Sequence, residues 1–205
     1  MNRILLIAIA AVLAVIGVVG ALLYGQAPEP APPIAATAPA PSAPVGRFIP
    51  APGGDFTAVA PVDGDGRAAD MTPYRGKKLL VNLWATWCAP CIEELPSLGE
   101  LQRELGGEDF QVVTLAIDER DPKKIAPFLA RHGAENLPVL IDRDRTIDKV
   151  TKVMALPTSL LVERDGTIKA TLTGDARWNC GTALAAVRAF IAEGAVIEDD
   201  LGKCE

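Results

Sequence analysis

The sequence predicts an α/β fold with a mainly parallel central sheet. Strand-like and helix-like segments alternate from about residue 56 to residue 193, and such alternation builds parallel strands with helices on both faces of a sheet. The run 79–85 is apolar apart from Asn82, which is typical of a central strand buried on both faces. A turn signal at 164–166 between two short strand-like runs adds an antiparallel hairpin near the end of the domain.

The first half of this region contains the strongest local patterns. Leu95, Leu98, Leu101 and Leu105 recur at helical spacing after the central strand, and Gly106 follows as a helix terminator. Pro96 lies inside this helix and predicts a kink. The predicted elements are a short strand at 56–59, a turn at 63–66, the central strand at 79–85, a helix at 89–105 and a strand at 111–117.

The second half is punctuated by helix-start and turn residues. Asp121-Pro122 is a good helix start, and His132-Gly133 marks the end of that helix. The closing segment 179–191 is amphipathic and predicts a final helix. The predicted elements are a helix at 121–133, a strand at 138–141, a short helix at 146–153, strands at 158–162 and 167–172, and the helix at 179–191.

The N-terminal segment is a candidate membrane anchor. Residues 4–23 contain no charged or strongly polar side chain, and twenty such residues can cross a hydrocarbon core of about 30 Å. Arg3 precedes the segment and no other basic residue occurs before Arg47, which places the N-terminus in the cytoplasm and the rest outside. We predict an uncleaved single-pass anchor at 1–24, with a cleaved signal peptide as the alternative.

The composition divides the remaining chain into a spacer, a folded domain and a tail, and it argues against nucleic acid as a partner. Residues 25–55 are rich in Pro and Ala, and this composition predicts a semi-rigid spacer. The spacer would either let the domain reach partners near the bilayer or act as a tether with no specificity. We place the folded domain at 56–195 and a tail at 196–205. The net charge is −6 and no basic cluster is present, so we predict no nucleic-acid binding.

The sequence Cys88-Ala89-Pro90-Cys91 carries the chemistry. It lies where the central strand meets a helix, and a helix N-terminus favours negative charge. A cysteine at this position loses its proton more easily, and the thiolate is the nucleophile of disulfide exchange. This spacing predicts a thiol–disulfide oxidoreductase whose redox-active group is the Cys88–Cys91 disulfide, with no other cofactor.

Half of a zinc site is the alternative interpretation of the cysteine pair. Such sites need a second CxxC or a histidine pair at suitable spacing. Cys180 and Cys204 are too far apart to supply it, and His132 is the only histidine. We therefore predict no metal site and interpret His132 as a helix cap.

Three features together resemble the thioredoxin fold, and within it the membrane-anchored TlpA-like and ResA-like branch. They are the segment 81–91 (VNLWATWCAPC), the segment Leu156-Pro157-Thr158, and the extra strand–helix insertion from Val112 to about Gly133. The resemblance covers most of the chain after residue 56. It implies a central sheet flanked by helices, and a domain held in the periplasm by a bacterial inner-membrane anchor.

The resemblance also implies roles for individual residues. Cys88 is expected to attack a substrate disulfide, and Cys91 to resolve the mixed disulfide. Trp87 and Pro157 would border the contact surface, and Pro90 would rigidify the helix start. In the family the proline matching Pro157 is cis and the residue before it, here Leu156, pairs with an extended substrate segment. An ordinary trans proline at a strand start is the alternative.

Proton handling is expected to differ from that of cytosolic thioredoxins. Asn82 stands where those proteins have a buried aspartate, and an amide cannot titrate. Glu94 lies one helical turn after Cys91, and in the resembling branch a glutamate at this place tunes the cysteine pair. Alternatively, Glu94 or Glu93 only complements the helix N-terminus.

The resemblance suggests a direction and a set of partners. The Ala-Pro pair between the cysteines is similar to the Gly-Pro of reducing thioredoxins and lacks the histidine frequent in oxidants. A reductant outside the cytoplasm needs a membrane electron donor, of the DsbD or CcdA kind. The expected substrates are copper-site assembly factors for cytochrome oxidase or apocytochrome c. The rivals are a disulfide-donating oxidant and a copper chaperone, although such chaperones usually carry CxxxC and a distant histidine.

Cys180 and Cys204 form a second cysteine pair beyond the family core. Outside the cytoplasm two spare thiols are expected to be joined. We therefore predict a structural disulfide that pins the tail to the start of the last helix, with a second redox or copper-binding pair as the alternative.

Overall fold

A computed structural model of the protein describes residues 46–51, 53–118, 121–153, 155–198 and 201. The described strands are β1 (Phe48–Pro50), β2 (Lys78–Trp84), β3 (Phe110–Ala116), β4 (Leu140–Ile141), β5 (Thr158–Val162) and β6 (Ile168–Thr173). The α-helices are α1 (Ala89–Leu105), α2 (Ile125–Arg131) and α3 (Gly181–Glu193). Short 3-10 helices occupy Phe56–Ala58, Thr72–Tyr74, Pro122–Lys124 and Thr146–Lys149.

The described strands form one six-stranded sheet in the order β1-β6-β5-β2-β3-β4. The pairs β2–β3 and β3–β4 are parallel, whereas β2–β5, β5–β6 and β1–β6 are antiparallel. The sheet is therefore mixed rather than mainly parallel. The predicted hairpin of β5 and β6 is confirmed, and it pairs directly with the central strand.

Strand β2 lies between β5 and β3 in the interior of the sheet, and every one of its residues is buried. Successive side chains of a strand point to opposite faces. Leu80 and Trp84 pack in one apolar cluster together with α1 and α3, while Val81 and Leu83 pack in a second cluster on the other face of the sheet. This explains why the strand is continuously apolar in sequence, and it confirms the predicted two-sided burial.

Helix α1 has the bounds that the sequence predicts. Leu95, Leu98 and Leu101 on its apolar stripe are fully buried. The helix ends at Gly106, whose backbone N–H donates to the Gln102 carbonyl. Pro96 lies inside the helix, and the kink there stays a prediction.

Three local assignments differ from the sequence-based ones. The predicted strand at 56–59 is a 3-10 helix at Phe56–Ala58, because the Asp55 carboxylate accepts the Thr57 backbone N–H and caps a turn. The helix predicted at 146–153 is only a 3-10 helix at Thr146–Lys149. Strand β4 has two residues instead of four. Short apolar runs leave such boundaries open.

The folded domain begins earlier than the predicted boundary at residue 56. Phe48 is 1% exposed and its strand β1 pairs with β6, Phe48 opposite Leu172. The C-terminal segment adds to the same region, since Leu201 is buried and its backbone N–H donates to the Gly46 carbonyl over 2.7 Å. Residues 46–51, which the sequence assigned to the spacer, are therefore an edge of the sheet.

Replacing Phe48 with leucine tests whether this edge contributes to folding. The change removes part of a buried side chain, so we expect the free energy of unfolding to fall by about 1 kcal/mol. The neighbouring Ile49 is 38% exposed, and an Ile49→Leu control should change it by less than about 0.5 kcal/mol. Denaturant unfolding of the two variants is the measurement. Equal effects would place Phe48 outside the core.

The predicted anchor at 1–24 and most of the predicted spacer lie outside the described residues. Within the ranges that are described, none of the helices combines the length and the apolar character that a bilayer crossing requires.

Candidate active site

The cysteine pair lies at the N-terminus of α1, just beyond the carboxyl end of β2. Cys88 and Cys91 form a disulfide whose Cα atoms are 5.3 Å apart. Cys88 is the N-cap residue of the helix, and its Sγ accepts the Cys91 backbone N–H over 3.3 Å. The helix N-terminus and this N–H group both stabilise negative charge on Cys88 when the bond is reduced.

The two sulfurs differ in access. Cys91 is fully buried, whereas Cys88 lines an open groove of about 540 Å³. The groove is lined by Trp87, Cys88, Ala89, Pro90, Arg145, Val153, Ala155 and Leu156. Cys88 is therefore the sulfur that a partner can reach, and Cys91 is the one placed to attack from inside.

Three of the four predicted substrate-contact residues line this groove. Trp87 is 66% exposed and lies on its lining together with Pro90 and Leu156. The Leu156–Pro157 peptide bond is cis, as the family resemblance implies. Pro157 itself is buried and is not among the described residues that line the groove, and its carbonyl accepts the Gly174 backbone N–H over 2.9 Å. The contact roles of these residues stay predictions.

A buried aspartate that the sequence analysis did not single out binds the segment between β2 and the cysteines. Asp118 is 4% exposed, and its Oδ2 accepts both the backbone N–H of Thr86 over 2.9 Å and the Thr86 hydroxyl. Asp118 follows β3, whose parallel partner is β2. Its position directly after a buried strand, at the same sheet edge as Cys88, was the available signal.

Glu94 is buried beneath the first turns of α1. Glu94 is 3% exposed, and its Oε1 accepts a hydrogen bond from Asn82 Nδ2 over 2.7 Å. Oε2 accepts the Ala176 backbone N–H over 3.2 Å and Trp178 Nε1–H over 3.1 Å. Glu93, in contrast, is exposed. Glu94 is thus an interior group with partners from other elements, and its role in proton transfer stays a prediction.

Burial dominates the acidity of Glu94. Desolvation raises the pKa of its carboxyl from 4.5 to about 7, although the hydrogen bonds from Asn82, Ala176 and Trp178 lower it. The negative charge of Asp175 adds a smaller upward contribution to this pKa. A carboxyl of this kind can hold or release a proton near neutral pH.

Asn82 connects Glu94 to the neighbouring strand. Its Nδ2 also donates to Ser159 Oγ over 3.0 Å, while its Oδ1 has no hydrogen-bond partner among the described residues. This orientation of the Asn82 amide suits an ionised Glu94, because the amide N–H donates to the carboxylate. A protonated Glu94 needs an acceptor instead, which Asn82 can supply if its amide turns over. Asn82 itself does not titrate, but its amide can form a hydrogen bond with either the ionised or the protonated form of Glu94.

The second cysteine pair is only partly described. Cys180 is buried at the N-cap of α3, and its predicted partner Cys204 lies outside the described residues. The predicted structural disulfide thus stays a prediction. His132 lies at the C-terminal end of α2, where its Nδ1 is 2.8 Å from the Phe128 carbonyl oxygen, which agrees with a capping role.

Comparison with known proteins agrees with this geometry. The sequence model of the Redoxin family matches residues 42–188. The thiol-disulfide oxidoreductase ResA of Geobacillus thermodenitrificans is 34% identical over 113 residues, covering 55% of this chain and 63% of ResA. The ResA of Bacillus subtilis strain 168 is 30% identical over 114 residues, with coverages of 55% and 62%. The matched region thus spans less than two thirds of these relatives.

A solved structure supports the fold independently. A Chlorobium tepidum protein described as a thiol:disulfide interchange protein DsbE superposes with a TM-score of 0.57 at 24% identity, over 68% of this chain and 97% of that one. The architecture is therefore the thioredoxin fold that the sequence predicts. With a family match across most of its length and a CxxC disulfide at the start of α1, the chain belongs to the Redoxin family.

Proposed function

We propose that this chain is a thiol:disulfide oxidoreductase that reduces cysteine pairs in partner proteins. One observation carries the proposal: at the N-terminus of α1, Cys88 lines an open groove with 6% of its surface exposed, whereas its disulfide partner Cys91 is fully buried. An asymmetric pair of this kind suits attack by one sulfur and resolution by the other. The ResA relatives carry thiol-disulfide oxidoreductase as their name, which supports the same activity.

The reaction uses both electrons of the reduced pair. The Cys88 thiolate attacks one sulfur of a substrate disulfide, and the other substrate sulfur leaves as a thiolate that takes up a proton. Cys91 then loses its proton and attacks Cys88 Sγ. The second substrate sulfur leaves as a thiol, and the enzyme ends with the Cys88–Cys91 disulfide. No cofactor beyond this pair enters the proposal, and Glu94 is a nearby group that can exchange the Cys91 proton.

The residues between the cysteines support the proposed direction of transfer. Ala89 and Pro90 supply no titratable side chain that would hold the reduced thiolate. This favours a reducing pair. After each cycle the enzyme must be reduced again, and outside the cytoplasm we propose a membrane electron donor of the DsbD or CcdA kind.

The proposed site of action is the outer side of a bacterial inner membrane. The support is the apolar run at 4–23 and the Pro/Ala-rich segment after it, which would hold the domain in the periplasm near membrane-bound partners. The substrates that we propose are copper-site assembly factors of cytochrome oxidase or apocytochrome c.

The reduction potential of the Cys88–Cys91 pair tests the proposal. The full chain is equilibrated with thiol buffers, and alkylation with mass spectrometry reports this pair separately from Cys180 and Cys204. A potential near that of thioredoxin, about −270 mV, is expected. A potential near that of DsbA, about −120 mV, would make the protein a disulfide donor and overturn the proposal.

A further inference from the structure

The described lining of the groove beside Cys88 carries one charged side chain. Among the described residues that line it, Arg145 is the only charged side chain. The others are uncharged, with apolar surface supplied by Trp87, Val153 and Leu156. The whole chain has a net charge of −6. The charge on the described lining of the groove is therefore opposite in sign to the net charge of the protein.

The backbone of Arg145 adopts an uncommon conformation. Its φ of 52° lies in the left-handed region, where non-glycine residues are rare. The buried Asp142 supports this turn, because its carboxylate accepts the backbone N–H groups of Thr146 and Ile147, each over 2.8 Å. The Asp142 backbone N–H donates to the Ala116 carbonyl, which ties the loop to the end of β3. Arg145 thus lies in a turn that is hydrogen-bonded to the end of β3.

The guanidinium of Arg145 is oriented but still accessible. Its Nε and Nη2 donate to the two carboxylate oxygens of Asp148 over 2.8 and 3.1 Å. These bonds use two of the five N–H groups of an arginine. The Arg145 side chain is 44% exposed, so a second carboxylate can approach the remaining edge.

We infer that this groove selects partner-protein segments that carry an Asp or Glu close to the reacting cysteine, and that Arg145 determines this preference. The inference rests on the proposed function, because it names the substrate class of the same site. The apolar lining would contact neutral side chains of an extended segment, while Arg145 pairs with its carboxylate. Charge complementarity with Arg145, the one cation on the described lining of the groove, favours an acidic segment over a neutral or basic one.

Matched peptides test the inference on the full chain. Three peptides, each with one internal disulfide, differ only in a Glu, Gln or Lys two residues from the first cysteine. Single-turnover reduction by the reduced protein is followed by acid quenching and mass spectrometry. At low salt we expect the Glu peptide to react about three- to fivefold faster than the Gln peptide, the scale of an exposed ion pair. The difference should shrink as salt is added.

Variants assign the preference to the charge at residue 145. Arg145→Gln should abolish the preference for Glu over Gln, Arg145→Lys should retain it, and Arg145→Glu should favour the Lys peptide instead. Lys149→Gln, an exposed change in the 3-10 helix that follows Arg145 and outside the groove lining, should leave the preference unchanged. The Gln peptide reports any general damage, because its rate does not depend on the charge pair.

The outcomes separate this inference from the proposed function. Equal reduction of the Glu and Gln peptides by the unmodified protein would overturn the inference and leave the oxidoreductase proposal intact. A preference that persists in Arg145→Gln, or that fails to reverse in Arg145→Glu, would also overturn it. Failure to reduce any of the three peptides would contradict the proposed function itself.

Discussion

Replacing Cys91 with serine is expected to stop turnover and to leave a partner's sulfur attached to Cys88. Cys88 lines the groove, whereas Cys91 is fully buried behind it. The variant can therefore form the mixed disulfide but lacks the thiol that resolves it. We expect turnover to fall by roughly a thousandfold or more, as when a catalytic nucleophile is removed. Mass spectrometry of the variant after exposure to a peptide disulfide should detect the adduct.

The Cys88→Ser variant is the matched control for this experiment. It retains one cysteine of the pair, but that cysteine has no exposed surface in the folded protein. We expect neither turnover nor an adduct. An adduct on Cys91 in this variant, or sustained turnover by Cys91→Ser, would show that the assigned order of attack is wrong.

Replacing Glu94 with glutamine is expected to remove a large pH dependence of stability. The folded-state pKa of about 7 lies above the ordinary value of 4.5. The folded protein therefore binds the proton more tightly than the unfolded chain does. The stabilisation is fully present below about pH 4.5 and is lost as pH rises through about 7. At 1.36 kcal/mol for each pKa unit, the loss amounts to about 3 kcal/mol by pH 8.

Denaturant unfolding between pH 5 and pH 8, with disulfides intact, measures this effect. The unmodified protein should lose roughly 2 to 3 kcal/mol more than Glu94→Gln over this range, because part of the stabilisation is already lost at pH 5. Glutamine can keep an oxygen toward Ala176 and Trp178 and donate to Asn82, if the Asn82 amide turns over. Glu93→Gln, an exposed change one residue away, should follow the unmodified protein. Parallel curves for all three proteins would contradict a raised pKa of Glu94.

Secondary structure was predictable where a local pattern was long and strong. Strand β2, helix α1 and the β5–β6 hairpin were expected from a continuous apolar run, a leucine stripe and a turn signal. Strand β1 was missed because its three residues stand in a Pro/Ala-rich segment. Its strand conformation depends on pairing with β6, about 120 residues later in the chain.

The sequence alone determined the family, the fold class and the cysteine pair, because each can be recognised from short local patterns and from their order along the chain. Cys88 and Cys91 are three positions apart at a strand–helix junction, and the local spacing suffices to predict a dithiol. Only the tertiary structure decided the surroundings of that pair. The pKa of Glu94 depends on Asn82, Ala176 and Trp178, which lie 12 to 84 residues away. Burial and hydrogen bonding between such distant segments exist only after the sheet and its helices have packed together.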